Sequence, residues 1–110
     1  MASEPVAVLI VEDSMSLGSV YRAYLRHQPY AVSHVPDGAS AMARLERDPP
    51  DVLLLDLQLP DMDGMDILRH VHERRMPVAV VIITGHGSVD KAVDAMRYGA
   101  FDFVEKPVAS

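Results

Sequence analysis

VLLLDLQLPDMDG, residues 52–64, runs four apolar residues directly into Asp56 and then breaks at Pro60 and Gly64. Four residues are too few for a helix, and valine and leucine with no intervening polar residue describe a strand with neither face in water. Strands of that kind belong to parallel sheets covered by helices on both sides, which puts Asp56 at the carboxyl end of a buried strand. The same pattern recurs in VAVLIV, residues 6–11, and in VAVVII, residues 78–83. Two weaker strands fit residues 31–35, after the break at Pro29, and residues 101–104, between Gly99 and Pro107. All three strong runs read as buried on both faces.

The intervening segments carry helical spacing. Leu17, Val20, Tyr21, Tyr24 and Leu25 make one stripe of a first helix over residues 16–27. Asp37 caps a second helix carrying Ala41, Met42 and Leu45, and Gly64 precedes a third carrying Ile67, Leu68 and Val71. Ser88 caps a fourth with Val89, Ala92, Val93 and Met96 as its stripe, and Gly99 suits the left-handed residue that ends it. Strict alternation with short connections predicts an α/β fold: a doubly wound, five-stranded parallel sheet of flavodoxin-like order 2-1-3-4-5. Winding reverses between strands one and three, and ligands of such sheets gather outside the carboxyl ends there. Only Val108, Ala109 and Ser110 follow Pro107, so the fifth helix is absent from this chain. The expectation is one domain over residues 1–110, cut from a longer protein before its last helix, with an uncovered sheet face open to self-association.

A chain of 110 residues with 49% apolar content suits one core. Ten basic against 16 acidic side chains leave a net charge of −6, which argues against nucleic acid as a direct partner. The absence of cysteine excludes disulfides and thiolate metal sites. No basic leader with an apolar run opens the chain and no apolar stretch approaches the ~18 residues of a membrane span, so no membrane partner is expected and the expected location is cytoplasmic.

Strands one, three, four and five each end in a distinct polar residue: Glu12 with Asp13, then Asp56, Thr84 and Lys106. The topology brings these to one rim. Three carboxylates so close repel one another unless one is protonated or a cation shares them. Mg²⁺ is the natural cation, held by Glu12, Asp13, Asp56 and the backbone carbonyl of Gln58, since it takes hard oxygen ligands and keeps several waters. A carboxylate placed there can attack phosphorus to form an acyl phosphate, with Thr84 and Lys106 stabilising charge on the transferred oxygens.

At this point VLIVEDS (8–14), VLLLDLQLPDMDG (52–64), VVIITGHG (80–87) and AFDFVEKP (100–107) resemble the four signature blocks of response-regulator receiver domains, a likeness covering nearly the whole chain. Residues 84–107 are similar to receivers of NtrC-family sigma-54 activators, with Gly85 where alanine is more usual. VEDSMSLGSVYRAYL and LLDLQLPDMDGMDIL are similar to quorum-sensing regulators of the LuxO type. The resemblance implies a phosphorylation-dependent switch of a two-component system or phosphorelay, fed by a histidine kinase or histidine phosphotransfer protein and controlling a transcription-regulating output domain. By it Asp56 is the phosphoacceptor, Glu12 and Asp13 the acidic pair, Thr84 the switch hydroxyl, and Lys106 the phosphate-pairing lysine on a cis peptide to Pro107. Phe103 matches the switch aromatic, without the hydroxyl of the tyrosine often found there. Gln58 and His86 match positions that influence how fast water reaches the acyl phosphate.

Bland readings compete for single residues. Thr84 alone could bond local backbone, Phe103 could fill core, and Met15, Met62 and Met65 could be packing filler or an adaptable docking surface. His27, His34, His70 and His72 lack metal spacing and read as surface residues. Agreement of four strand ends on the needed residue types outweighs these readings for Asp56. The rival activity, an aspartyl-phosphate phosphohydrolase, needs a second aspartate two residues after the nucleophile, and Gln58 stands there. A flavin-binding module would set its phosphate against Glu12 and Asp13, and a pseudo-receiver would lack a site residue, whereas all are present. A switch is therefore expected rather than a metabolic enzyme.

Overall fold

The computed structural model describes residues 5–85 and 87–106. Strands and helices alternate throughout: β1 (Val6–Val11), α1 (Met15–Leu25), β2 (Tyr30–Val35), α2 (Gly38–Arg47), β3 (Val52–Leu55), α3 (Gly64–Glu73), β4 (Ala79–Thr84), α4 (Val89–Arg97) and β5 (Asp102–Glu105). All neighbouring strands pair in parallel, and their order is β2-β1-β3-β4-β5, as the alternation predicts. His86 and residues 107–110, with the expected cis bond before Pro107, lie outside the described residues.

The helix starts follow side-chain caps. Ser14, Asp37, Asp63 and Ser88 each accept a bond from a backbone N–H of the first turn, which satisfies a donor that has no partner inside the helix. Asp37 and Ser88 are the expected caps. α1 stops at Leu25, short of His27, because the chain tightens there: the Arg26 N–H donates to Ala23 and the Gln28 N–H to Leu25. Pro29 also disfavours helical backbone at Gln28. Gly99 has φ +80°, the expected left-handed residue after α4.

The two faces of the sheet differ. Leu9, Val11, Leu53, Leu55, Val80 and Ile82 are at most 1% exposed and pack with Leu45, Ile67, Leu68, Val71 and Ala95 from α2, α3 and α4. On the other face Val8 and Ile10 are buried near α1, but Val52, Leu54, Val81 and Ile83 are only half-buried and Val104 is 42% exposed. The expectation of strands buried on both faces therefore fails for β3 and β4, which alternate between buried and half-buried residues. The reason is cover: α1 lies over β1 and β2, and no other described helix lies on its side of the sheet.

Two predicted helical stripes also need correction. In α1 the inward face is Leu17, Gly18, Tyr21 and Leu25, while Val20 and Tyr24 are 45% and 79% exposed. In α4 the inward residues are Ala92 and Ala95, and Val89, Val93 and Met96 are all more than half exposed. Alanines let the helix axis approach the sheet closely, so the packed face sits roughly a quarter turn from the larger residues.

Candidate functional site

Three strand ends meet at one lysine. β1 and β3 are adjacent, and the Asp56 N–H donates to the Val11 carbonyl at 3.0 Å, which carries Asp56 on beside Glu12. β5 lies beyond β4, where the Lys106 N–H donates to the Thr84 carbonyl at 2.8 Å and turns its side chain back over the sheet. The Lys106 Nζ stands 2.6 Å from Glu12 Oε1 and 2.8 Å from Asp56 Oδ2. Asp56 Oδ1 accepts the Gln58 N–H at 3.0 Å and Glu12 Oε2 the Ser14 N–H at 3.2 Å, so both carboxylates are held in orientation. Glu12 is 1% exposed, Asp56 5% and Thr84 1%, whereas Asp13 faces solvent.

Gly64 explains how the loop after β3 closes on itself. A Cβ there would stand 2.5 Å from the Asp56 carbonyl oxygen and 2.7 Å from Leu57 Cα. Only glycine lets the start of α3 come this near, and its N–H donates to the Leu57 carbonyl at 2.8 Å. Gln58 and Asp63 form an antiparallel bridge across the same loop. Further out, the Asp61 carboxylate accepts the N–H groups of Gly38 and Ala39 at 2.8 and 2.9 Å, pinning the loop to the start of α2. Those bonds hold the Asp61 carboxyl below its ordinary pKa.

The rim encloses a cavity of about 410 Å³ lined by Asp13, Asp56, Gln58, Leu59, Pro60, Gly85 and Lys106. Carboxylate oxygens of Glu12, Asp13 and Asp56 lie within 4.8 Å of one another, an arrangement able to hold a metal ion. Against the single Lys106 ammonium, three carboxylates leave two negative charges, the amount a divalent cation neutralises. Burial pushes the Glu12 carboxyl above its ordinary pKa, the Lys106 contact opposes this, and Asp13 and Asp56 add to it. Burial pulls the Lys106 ammonium down, but its bonds to Asp56 and Glu12 outweigh that and raise its pKa.

The sequence-predicted residues divide into three groups. Glu12, Asp13, Asp56 and Lys106 converge, with Gln58 lining the same cavity. Thr84 ends β4 as a buried residue, and its neighbour Gly85 reaches the cavity wall. Phe103, in register with Ile82, is half-buried against the core, and its ring edge lies 2.9 Å from where a Cβ on Gly87 would stand. His86 lies outside the described residues.

Two residues not expected at the site are found near it. Tyr21 of α1 buries its hydroxyl with no hydrogen-bond partner among the described residues; burial raises its pKa and the charge of Lys106 opposes that. His34, read from sequence as a surface residue, is half-buried with Nε2 2.7 Å from the Glu12 carbonyl oxygen, while Gly18 leaves room for its ring. Elsewhere, His70, also read from sequence as a surface residue, is half-buried, 3.0 Å from Glu46.

Comparison with known proteins agrees with this geometry. The chain is 47% identical over 98 residues to the regulatory protein LuxO of Vibrio cholerae and 39% identical over 103 residues to the C4-dicarboxylate transport regulator DctD of Pseudomonas aeruginosa. These alignments cover 89% and 94% of this chain but only 22% of each relative. The receiver domain of a LuxO repressor protein from Vibrio parahaemolyticus superposes with a TM-score of 0.91 at 45% identity, over 96% of this chain and 81% of that one. With the family's sequence model matching residues 8–110, the chain belongs to the response regulator receiver domain family.

Proposed function

We propose that this receiver takes a phosphoryl group from a phosphohistidine onto Asp56 in the presence of Mg²⁺, and that the change biases an output domain regulating transcription. The observation that carries the reading is the Lys106 ammonium bridging Glu12 and Asp56 at the mouth of an acidic cavity. In the reaction an Asp56 carboxylate oxygen attacks phosphorus, a P–O bond forms, the P–N bond to the donor imidazole breaks, and an acyl phosphate results. The Gln58 N–H keeps the carboxylate from rotating, and Lys106 exchanges its carboxylate contact for a phosphoryl oxygen. Glu12, Asp13, Asp56 and the Gln58 carbonyl would hold the Mg²⁺, which supplies charge neutralisation on the transferred oxygens when bound.

Thr84 is the proposed phosphate-sensing hydroxyl and Phe103 the side chain that moves with it. The exposed apolar residues Val89, Val93 and Met96 of α4 offer a surface through which a partner domain could read the change. The relatives' greater length supports reading this chain as the receiver unit of a longer regulator, with a histidine kinase or histidine phosphotransfer protein as donor. A phosphohydrolase is not favoured, since Gln58 offers no carboxyl to protonate a leaving group.

Incubation with Mg²⁺ and acetyl phosphate tests the proposal by mass spectrometry. Wild type should gain one phosphoryl group in a Mg²⁺-dependent way and Asp56→Asn none; equal labelling of both chains would reject it. Gln58 and His86 are proposed to set the lifetime of the acyl phosphate. Its half-life should change several-fold in Gln58→Ala, and an unchanged half-life removes Gln58 from that role.

A further inference from the structure

Glu12 is hydrogen-bonded through its backbone N–H, its backbone carbonyl and Oε2, and ion-paired through Oε1. Its N–H donates to the Val35 carbonyl at 3.1 Å, its Oε2 accepts from Ser14, and its Oε1 faces Lys106. Its carbonyl oxygen is met by the His34 ring, Nε2 to O 2.7 Å. A carbonyl can only accept, so the ring donates through Nε2–H. His34 pairs in register with Ile10, two residues before Glu12, and its ring therefore rises on the α1 side of β1.

Room for that ring comes from Gly18. A Cβ on Gly18 would lie 2.2 Å from His34 Cε1, 2.6 Å from Nδ1 and 2.7 Å from Nε2. The ring thus fills the space of a missing side chain on α1, wedged between the helix and the sheet. Any larger residue at position 18 displaces the ring, not the backbone.

The bonded carbonyl belongs to the peptide that links Glu12 to Asp13. Its plane sets where Asp13 starts, and the Asp13 side chain is exposed, its carboxylate meeting that of Glu12 beside it. We infer that His34 is a positioning residue for the metal site: by holding the Glu12–Asp13 peptide it keeps the Asp13 carboxylate beside those of Glu12 and Asp56. The inference rests on the Mg²⁺ reading above and concerns the wedge of His34 and Gly18, which lies outside the ligand set itself.

Isothermal titration of the protein with Mg²⁺ tests it, using His34→Phe, His34→Gln and Gly18→Ala. Phenylalanine keeps ring packing but has no donor, glutamine places an N–H near the position of Nε2, and alanine at 18 pushes the intact ring away. His34→Phe and Gly18→Ala should bind Mg²⁺ roughly fivefold more weakly, the worth of one ordinary hydrogen bond, while His34→Gln stays near wild type. In metal-free protein the Asp13 amide resonance should shift in the two weakened variants and return toward wild type in His34→Gln. Should Gly18→Ala fail to fold, the Phe and Gln pair still decides. Wild-type affinity in His34→Phe, or equal weakening in His34→Gln, overturns the inference alone; a wild type that binds no Mg²⁺ overturns the metal reading as well.

Discussion

Two glycines beside Asp56 differ in what a methyl group would meet. At Gly64 it would press on the backbone of Asp56 and Leu57, at 2.5 and 2.7 Å. Gly64→Ala should therefore cost about 1–3 kcal/mol, as overpacking does, and because the displaced backbone is that of the proposed acceptor it should also slow phosphorylation. At Gly85 the nearest atom is Lys106 Cδ at 3.8 Å, an ordinary contact. Gly85→Ala should be neutral or stabilising by about 0.4–1 kcal/mol through the unfolded chain. Urea denaturation of both variants, alongside acetyl phosphate kinetics, measures the contrast. Gly64 was legible from sequence as a helix start, but its contact with Asp56 was not, because that depends on how tightly the loop folds back.

Between elements, the Asp61 bonds to the start of α2 tie the loop after β3 to a helix 23 residues earlier in the chain. They lower the Asp61 pKa below 3.8, so between the folded value and 3.8 the unfolded chain binds more protons. The stabilisation from this carboxylate is thus present above about pH 4 and lost as pH falls through the folded value. Asp61→Ala should be less stable than wild type at pH 6, and the gap should close on acidification toward pH 2 in thermal melts. A gap independent of pH would mean the loop is held by packing alone. Sequence reading found the Asp37 and Ser88 caps because a cap lies within three residues of the N–H it serves. The Asp61 clamp has no such local pattern, and in α4 the predicted stripe includes Ala92 but passes over the fully buried Ala95 in favour of larger side chains.

At the scale of the molecule, one sheet face is covered by α2, α3 and α4 and the other, among the described residues, by α1 alone. Val20 and Tyr24 are well exposed on α1 and Val104 on β5, and Val52, Leu54, Val81 and Ile83 of β3 and β4 are half-buried. An apolar surface of this kind favours association, so light scattering should give a mass above the 12.1 kDa of one chain, rising with concentration. Val20→Glu with Tyr24→Glu should lower it. A mass of 12.1 kDa for wild type at several hundred micromolar would refute the expectation. Among the described residues no helix is long and apolar enough to cross a membrane.

The strand order, the alternation of elements and the meeting of Glu12, Asp13, Asp56 and Lys106 were all determined by sequence. Apolar runs define buried strands, right-handed crossovers leave few topologies, and every strand end of a parallel sheet points the same way. Tertiary structure alone decided which apolar residues are covered, which face of α4 packs, and that His34 bonds the Glu12 carbonyl beneath Gly18. Those outcomes depend on the distance and tilt of a helix on the sheet. Periodicity says that a helix has an apolar side, but the approach of two surfaces selects which atoms on that side touch.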